Sequence, residues 1–317
     1  MRSFLMAVYS MVTPELAQTL FDKLELGTLT HLQGCQGGIE NTNYFASSAR
    51  GDFVLTIFER LSFEQLPFYL HLMKHLAGKG IPVPDPQADP QGEILHTLLG
   101  KPATLVNKLP GKSQLAPQAQ HCAAVGAMLA RMHLAAQDLP RQQANLRGLA
   151  WVKETLPSIL PFLQPAQTAL LARAVAEQET LQQMAAYASL PSGAIHADLF
   201  RDNVMFVGDQ LTGFFDFYFA GIDAFVFDIA ICLNDWCIDH ATGATEPARL
   251  TAFVDAYNAV RPLSAAEREM LPAMRRAGAL RFWTSRLWDL HLPRDAAMLQ
   301  AHDPSHFERV LTQLDPH

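Results

Sequence analysis

The chain has 317 residues, with 31 acidic and 24 basic side chains and a formal charge of −7, a balance that disfavours a nucleic-acid footprint or a polybasic membrane anchor. Hydrophobic residues make up 49% and charged residues 17%, which is a globular composition and neither a disordered nor a fibrous one. No run reaches about 18 uninterrupted apolar residues, so no membrane span is expected, and at this length two lobes are expected because single cores stop growing near roughly 250–300 residues. The cysteines, Cys35, Cys122, Cys232 and Cys237, form no CxxC pair, which argues against a disulfide framework or a zinc knuckle and for buried thiols in a reducing compartment. The apolar stretch near the N-terminus is broken at Tyr9 and Ser10 and runs into Thr13-Pro14-Glu15, a helix start, so a cytoplasmic protein is expected.

In chain order, Thr13 as N-cap and Pro14 at the first helical position predict a helix with Leu16, Leu20 and Leu24 on one face, ended by Gly27. Gly34-Cys-Gln-Gly37-Gly38-Ile-Glu-Asn41-Thr42-Asn43-Tyr44-Phe45 is a glycine and amide turn. With the run Phe53-Val-Leu-Thr-Ile-Phe58 it reads as a hairpin with a small-residue loop plus a third strand. From about Glu64, Leu66, Tyr69, Leu70, Met73 and Leu76 recur at helical spacing, with Pro67 in the first turn and Gly78 and Gly80 closing the helix. Residues 81–90 form a stiff connector, because each proline removes a donor and restricts the residue before it. Two short strands are expected over 92–96 and 103–108, and Leu109-Pro110-Gly111 breaks the pattern. The lobe boundary is expected there, giving lobes 1–108 and 109–317.

The second lobe reads as largely helical. Residues 118–136 carry Cys122, Val125, Leu129 and Met132 on one face, and 151–187 is rich in alanine, leucine and glutamine. The exception is 194–219, which alternates β-type runs (194–195, 204–207, 211–217) with turns, Gly208-Asp209-Gln210 joining the last two. Helical patterns resume after Asp223. The expected fold class is α+β, a small antiparallel-sheet lobe followed by a larger, mainly helical one with a buried β-island.

That island carries the chemistry. In His196-Ala-Asp198-Leu-Phe-Arg-Asp-Asn203 a carboxylate and a carboxamide stand five residues apart, and the hairpin returns Asp216, thirteen residues after Asn203, beside them at a strand end. Phosphoryl transfer needs these oxygen atoms: one carboxylate for the acceptor hydroxyl's proton, and a carboxylate and an amide oxygen for Mg²⁺ on the phosphates. The competing reading is a turn stabilised by side-chain caps, and it does not account for the correctly spaced Asp216. The set resembles the protein-kinase-like catalytic loop, with Asp216-Phe-Tyr where the magnesium-binding Asp-Phe-Gly stands. His196 is expected to orient the loop, Asp228 to cap backbone donors beneath it, and His133 to be a satisfied core histidine.

Upstream, Gly34, Gly37 and Gly38 do not spell GxGxxG, but they let backbone amides approach phosphates, and Asn41, Thr42 and Asn43 add donors. Kinase-like enzymes carry a lysine on the third strand, where this chain has Thr56. Arg60 shares its strand face but lies about 13 Å away and does not substitute for it.

The sequence resembles the homoserine kinases of the choline-kinase and aminoglycoside-phosphotransferase fold over nearly its whole length. The resemblance rests on Met6-Ala-Val-Tyr9, Glu40-Asn-Thr-Asn43, Phe53-Val-Leu-Thr56, Gly80-Ile-Pro-Val-Pro84, His196-Ala-Asp-Leu-Phe-Arg-Asp-Asn203, Asn234-Asp-Trp236 and Leu280-Arg-Phe-Trp283. In that family the threonine at 56 is usual. The resemblance implies a protein-kinase-like two-lobe fold and transfer of the ATP γ-phosphate to the side-chain hydroxyl of L-homoserine for threonine synthesis. It also implies Asp198 and His196 as catalytic residues, Asn203 and Asp216 as Mg²⁺ ligands, and Gly37, Gly38, Asn41, Asn43, Val106 and Lys108 at the nucleotide, with adenine between the lobes. For the zwitterionic acceptor, Arg281 or Arg286 would take the carboxylate and Asp235 the ammonium. No nucleic-acid or membrane partner is expected. A kinase of the same fold acting on choline, an aminoglycoside or a sugar is the nearest alternative; a polycationic acceptor would want a dense acidic cleft, which Arg275, Arg276 and Arg286 do not favour. A silent ATP-binding pseudokinase is a second alternative. A hydrolase built on His196 and Asp198 lacks the further histidine ligands such sites need.

Overall fold

The computed structural model describes residues 10–35, 41–292 and 303–315. The chain divides into two compact units, one reaching Pro110 and the other beginning at Gly111.

The first unit is an antiparallel sheet with two helices. Helix α1 (Pro14–Lys23) is capped by the Thr13 hydroxyl, which accepts from the Leu16 amide, with Pro14 in the first turn. Strands β1 (Leu29–Gly34), β2 (Asn41–Ser48) and β3 (Gly51–Phe58) follow, then α2 (Pro67–Gly78), β4 (His96–Leu98) and β5 (Lys101–Asn107), in sheet order β1-β2-β3-β5-β4. Tyr44, Ala46, Phe53, Leu55, Ile57, Ala103 and Leu105 line one face, and α1 covers them with Ala17, Leu20 and Phe21, joined by Leu24 at its C-cap. Phe21 meets Phe53 edge to face at 5.7 Å. Burial of this kind is worth roughly 1.5–3 kcal/mol per large side chain.

Two local expectations are corrected here. The first helix ends at Lys23, not at Gly27, since Glu25 already adopts φ 55°. The strand expected over 92–96 lies at His96–Leu98 instead. Leu99 (φ 55°) and Gly100 (φ 73°) form a tight turn with both central residues left-handed, which pairs His96 with Ala103 and Leu98 with Lys101. A leucine in that conformation gives no turn signal in the sequence.

The second unit contains β6 (Lys112–Ser113), α3 (Ala119–Ala135), α4 (Leu149–Ile159), α5 (Pro165–Gln182), α6 (Ala185–Ala188), β7 (Ser192–Ile195), β8 (Val204–Val207), β9 (Gln210–Phe214), β10 (Gly221–Ala224), α7 (Phe225–Trp236), α8 (Pro247–Val260), α9 (Ala265–His291) and α10 (Ser305–Leu314). The β-island is two small sheets, β6-β8-β9 and β7-β10. Strand β10 was not legible, because Gly221-Ile-Asp-Ala224 offers one β-branched residue and no alternation. Its pairing with β7, Gly221 opposite Ile195 and Ala224 opposite Ser192, supplies what the local sequence lacks. Helix α7 is buried along its whole length and packs in a core with α9, Trp283 and Phe282 among its contacts.

Helices α3 and α8 pack unusually close at Gly126, where a Cβ would lie 2.3 Å from the backbone oxygen of Phe253. Gly126→Ala should gain about 1 kcal/mol of helix propensity, yet the clash is with backbone and cannot be relieved by a rotamer change. A net loss of about 1–3 kcal/mol is expected, read as a lower melting temperature. An unchanged or higher one would show that the two helices separate freely.

Candidate active site

The loop between β7 and β8 is held in place from beneath by one face of α7. Asp228, Cys232, Asp235 and Trp236 stand at helical spacings of four, seven and eight residues from the first, so they share that face. Asp228 accepts the backbone N–H of His196 (2.8 Å) and of Ala197 (2.9 Å). Trp236 Nε1 (3.0 Å) and Cys232 Sγ (3.6 Å) donate to the Leu199 carbonyl. Asp235 accepts the Arg201 backbone N–H (2.8 Å) and Nε (3.2 Å). Ala197 is thereby fixed at φ 63°, a conformation an alanine adopts only where surrounding bonds impose it.

On this platform Asp198, Asn203 and Asp216 are assembled within the second unit. Asn203, in a short 3₁₀ turn (Arg201–Asn203), is buried and donates its Nδ2 to the Asp198 carbonyl at 2.8 Å, with the Asp198 carboxylate 3.5 Å away. Its Oδ1 is therefore turned to serve as an acceptor or metal ligand. Asp216 does not end a strand as expected. Strand β9 stops at Phe214, the Phe215 amide donates to the Asn203 carbonyl at 3.0 Å, and Asp216 sits at φ 70°. Desolvation pushes the half-buried Asp198 carboxyl well above the ordinary range; Arg281 pulls it down, and Asp216 and Asp202 push it up again. Two hard oxygen donors beside a carboxylate raised by burial and then by its acidic neighbours make a set that a divalent cation would relieve.

His196 uses both ring nitrogens inside the loop. Nε2 donates to the Phe215 carbonyl at 2.9 Å, and Nδ1 accepts from the Asp198 amide at 3.3 Å. This fits orientation and leaves no nitrogen for the substrate. His133, fully buried, donates Nε2–H to Asp228 (3.0 Å) and accepts the Tyr257 hydroxyl at Nδ1 (2.7 Å), while Arg261 bonds both Tyr257 (3.2 Å) and Glu267 (2.8 Å). Burial lowers the pKa of His196 to about 4 and lowers that of His133 as well. The unfolded chain takes up the His196 proton near 6.5 and the folded chain does not until nearer 4, and His133 shifts in the same direction, so their contribution is complete above about 6.5 and is lost as pH falls below it. Melting temperatures measured from pH 7.5 down to 4.5 should decline below about 6.5. A flat profile would mean that these rings are protonated in the fold.

Of the residues expected at the acceptor, Arg281 and Arg286 lie in the electrostatic surroundings of Asp198. Asp235 does not stand free for an ammonium: it anchors Arg201. Asp235, His240 and His306 bring ligand-type atoms within 4.8 Å of one another, but the chemistry opposes a metal. His240 Nδ1 accepts from Arg201, so its Nε2–H donates to the Asp235 carbonyl and no lone pair remains. Burial and the surrounding His240, Arg286, Arg309 and Arg201 push His306 down to about 3, a field that repels cations.

In the first unit, Gly37 and Gly38 lie outside the described residues. Asn41 opens β2, and Asn43 pairs across the sheet with Thr56. The Thr56 hydroxyl donates to Asn43 Oδ1 at 2.8 Å, so the threonine in the lysine position fixes an amide whose remaining polarity is its two N–H donors. Val106 lies within the β3–β5 ladder opposite Val54 and is bridged to Pro86 on its other edge. The Lys108 amide donates to Asp52, and its ammonium sits 4.3 Å over the Phe45 ring.

Residues 31–270 match the phosphotransferase enzyme family. The chain is 62% identical to a homoserine kinase of Polaromonas naphthalenivorans, covering 97% of this chain and 98% of that one, and 52% identical to one of Paraburkholderia xenovorans, covering 97% and 96%. The chain belongs to the homoserine kinases of the phosphotransferase family. Among solved structures, the amicoumacin kinase hAmiN in complex with AMP-PNP, Ca²⁺ and Ami superposes with a TM-score of 0.68 at 18% identity, covering 94% of this chain and 92% of that one. Choline kinase from Cryptosporidium parvum Iowa II superposes with a TM-score of 0.65 at 12% identity, covering 95% of each. The fold is the α+β, two-lobe arrangement expected for this family. Arg147 and Asp223 lie in no motif of the sequence, and only the folded chain brings them to the cavity wall that Arg281 shares.

Proposed function

We propose that this chain transfers the γ-phosphate of ATP to the side-chain hydroxyl of L-homoserine, giving O-phospho-L-homoserine and ADP, a step toward threonine in the cytoplasm. The observation that carries the reading is the pinned loop that sets Asp198 beside Asn203 and Asp216, in a chain that matches homoserine kinases over nearly its full length. We assign residues 1–108 to the nucleotide and 109–317 to catalysis and acceptor.

The Asp198 carboxylate accepts the proton of the acceptor hydroxyl as its oxygen bonds to the γ-phosphorus and the bond from that phosphorus to the β,γ-bridging oxygen breaks. Asn203, fixed by its bond to the Asp198 carbonyl, holds the loop at the length this requires. Asn203 Oδ1 and the Asp216 carboxylate would hold Mg²⁺, which neutralises phosphate charge when bound. Asn41, Asn43 and Lys108 supply donors for the nucleotide. Most of the acceleration comes from positioning and electrostatics, the base adding about 10²–10⁴-fold. The described residues contain no helix long and apolar enough to cross a membrane, and the cysteines are free thiols, three of them buried.

The test is a coupled ADP-release assay with Mg²⁺-ATP against L-homoserine, D-homoserine, L-serine, choline and kanamycin. Release selective for L-homoserine is expected and should vanish with EDTA. Activity on another acceptor would reassign the substrate, and silence across the panel with ATP still bound would make the chain a pseudokinase.

A further inference from the structure

A cavity within the second unit is lined by Arg147, Gln178, Gln182, Tyr187, Asp223 and Arg281, among others. Arg281, on α9, is 4% exposed, and its Nη2 has no hydrogen-bond partner among the described residues. A buried guanidinium corner left unpaired is unfavourable unless an anion completes it. Its plane is fixed at 3.7 Å over Phe282 and 5.1 Å from Phe219. Arg147 is stacked at 4.4 Å on Trp151 and adds a second positive charge to its surroundings. Asp223, on β10, lines the same cavity, its carboxylate oriented by Asn145 Nδ2 (2.8 Å) and the Ala224 amide (2.7 Å). Burial raises its pKa, the direction expected of a desolvated carboxylate. A cavity that offers a cation with an empty donor, a carboxylate and neutral amides is complementary to a zwitterion.

We propose that this cavity seats the α-amino-acid head group of the acceptor, Arg281 taking the carboxylate in the field of Arg147 and Asp223 taking the ammonium, with the side-chain hydroxyl reaching toward Asp198. The proposal rests on the kinase reading above and deepens it. Arg281 belongs both to the cavity wall and to the electrostatic surroundings of Asp198, where it is the strongest favourable charge. The other pair expected from sequence is engaged elsewhere: Arg286 Nη1 donates to the Asp303 carbonyl (3.2 Å) and stacks on Phe307, and Asp235 holds Arg201.

The experiment compares wild type, R281M, R281K and D223N on L-homoserine, 3-aminopropan-1-ol (no carboxylate) and 4-hydroxybutyrate (no ammonium). Each is used as a substrate, or as a competitive inhibitor where its turnover is too slow. R281M should slow all three compounds, because Arg281 also acts on Asp198, but should lose about 10–100-fold more in kcat/KM on the two carboxylates than on the amino alcohol, and R281K should recover part of that difference. D223N should show the crossed pattern, losing the two amines and sparing 4-hydroxybutyrate. Melting curves and Mg²⁺-ATP binding on the same samples separate misfolding from recognition. A folded R281M or D223N that is impaired equally on all three compounds overturns the proposal. If R281M does not fold, the crossed pattern in D223N and R281K decides alone. Wild type that ignores L-homoserine yet turns over another acceptor overturns the kinase reading instead, so the two failures are distinguishable.

Discussion

Asp198→Asn should bind Mg²⁺-ATP nearly as well as wild type and turn over about 10²–10⁴-fold more slowly. The carboxamide keeps the size and the half-buried position of the carboxyl but cannot take the acceptor's proton. The scaffold should be unaffected, because the bonds that hold the loop are made by its backbone: the Asp198 carbonyl to Asn203, the Asp198 amide to His196, and the neighbouring amides to Asp228. Removing a carboxyl that burial and its acidic neighbours render costly should leave the melting temperature equal or slightly raised at neutral pH. Steady-state kinetics beside nucleotide titration make the measurement. Full turnover in the variant would remove Asp198 from the mechanism, and lost ATP binding would mean that the residue organises the nucleotide as well.

Asp228→Asn should be the most destabilising of the conservative single changes around the loop. The carboxylate is fully buried and receives donors from His196, Ala197 and His133. Burial works to raise its pKa, and the bonds and charge around it outweigh that and hold the carboxyl low. A carboxamide offers one oxygen to three donors and turns an NH₂ toward at least one of them. Breaking a buried, hydrogen-bonded charge of this kind costs about 3–5 kcal/mol, or roughly 2–4 °C of melting temperature per kcal/mol at this domain size. Ala197, at φ 63°, loses the bond that imposes its conformation, so turnover should fall with stability. Calorimetry and the exchange rate of the Ala197 amide report the two effects separately. A variant that melts with the wild type would show that water replaces the carboxylate.

The grouping of Asp198, Asn203 and Asp216 was legible because residue type and short spacing announce it, and the fold brings Asn203 against Asp198 with Asp216 in the same electrostatic surroundings. Asp228 was legible as a cap for the same reason. That Asp235 also holds the loop through Arg201 was signalled only by its spacing from Asp228, Cys232 and Trp236 along one helix face. Strand β10 and the Leu99-Gly100 turn were invisible locally, since pairing with β7 and β5 overrides weak propensity.

What the sequence by itself determined is the set of elements whose cause is local: the Thr13 cap, the amphipathic faces, the Gly208 hairpin, and the grouping of polar residues in the loop. What only the tertiary structure decided is which charges meet. Arg147 and Arg281 stand 134 residues apart in the chain, and Asp223 lies between them on a strand with no motif. Their convergence on one cavity depends on how α4, α5 and α9 pack, and packing is set by the summed burial of many apolar side chains rather than by any residue whose type announces a partner.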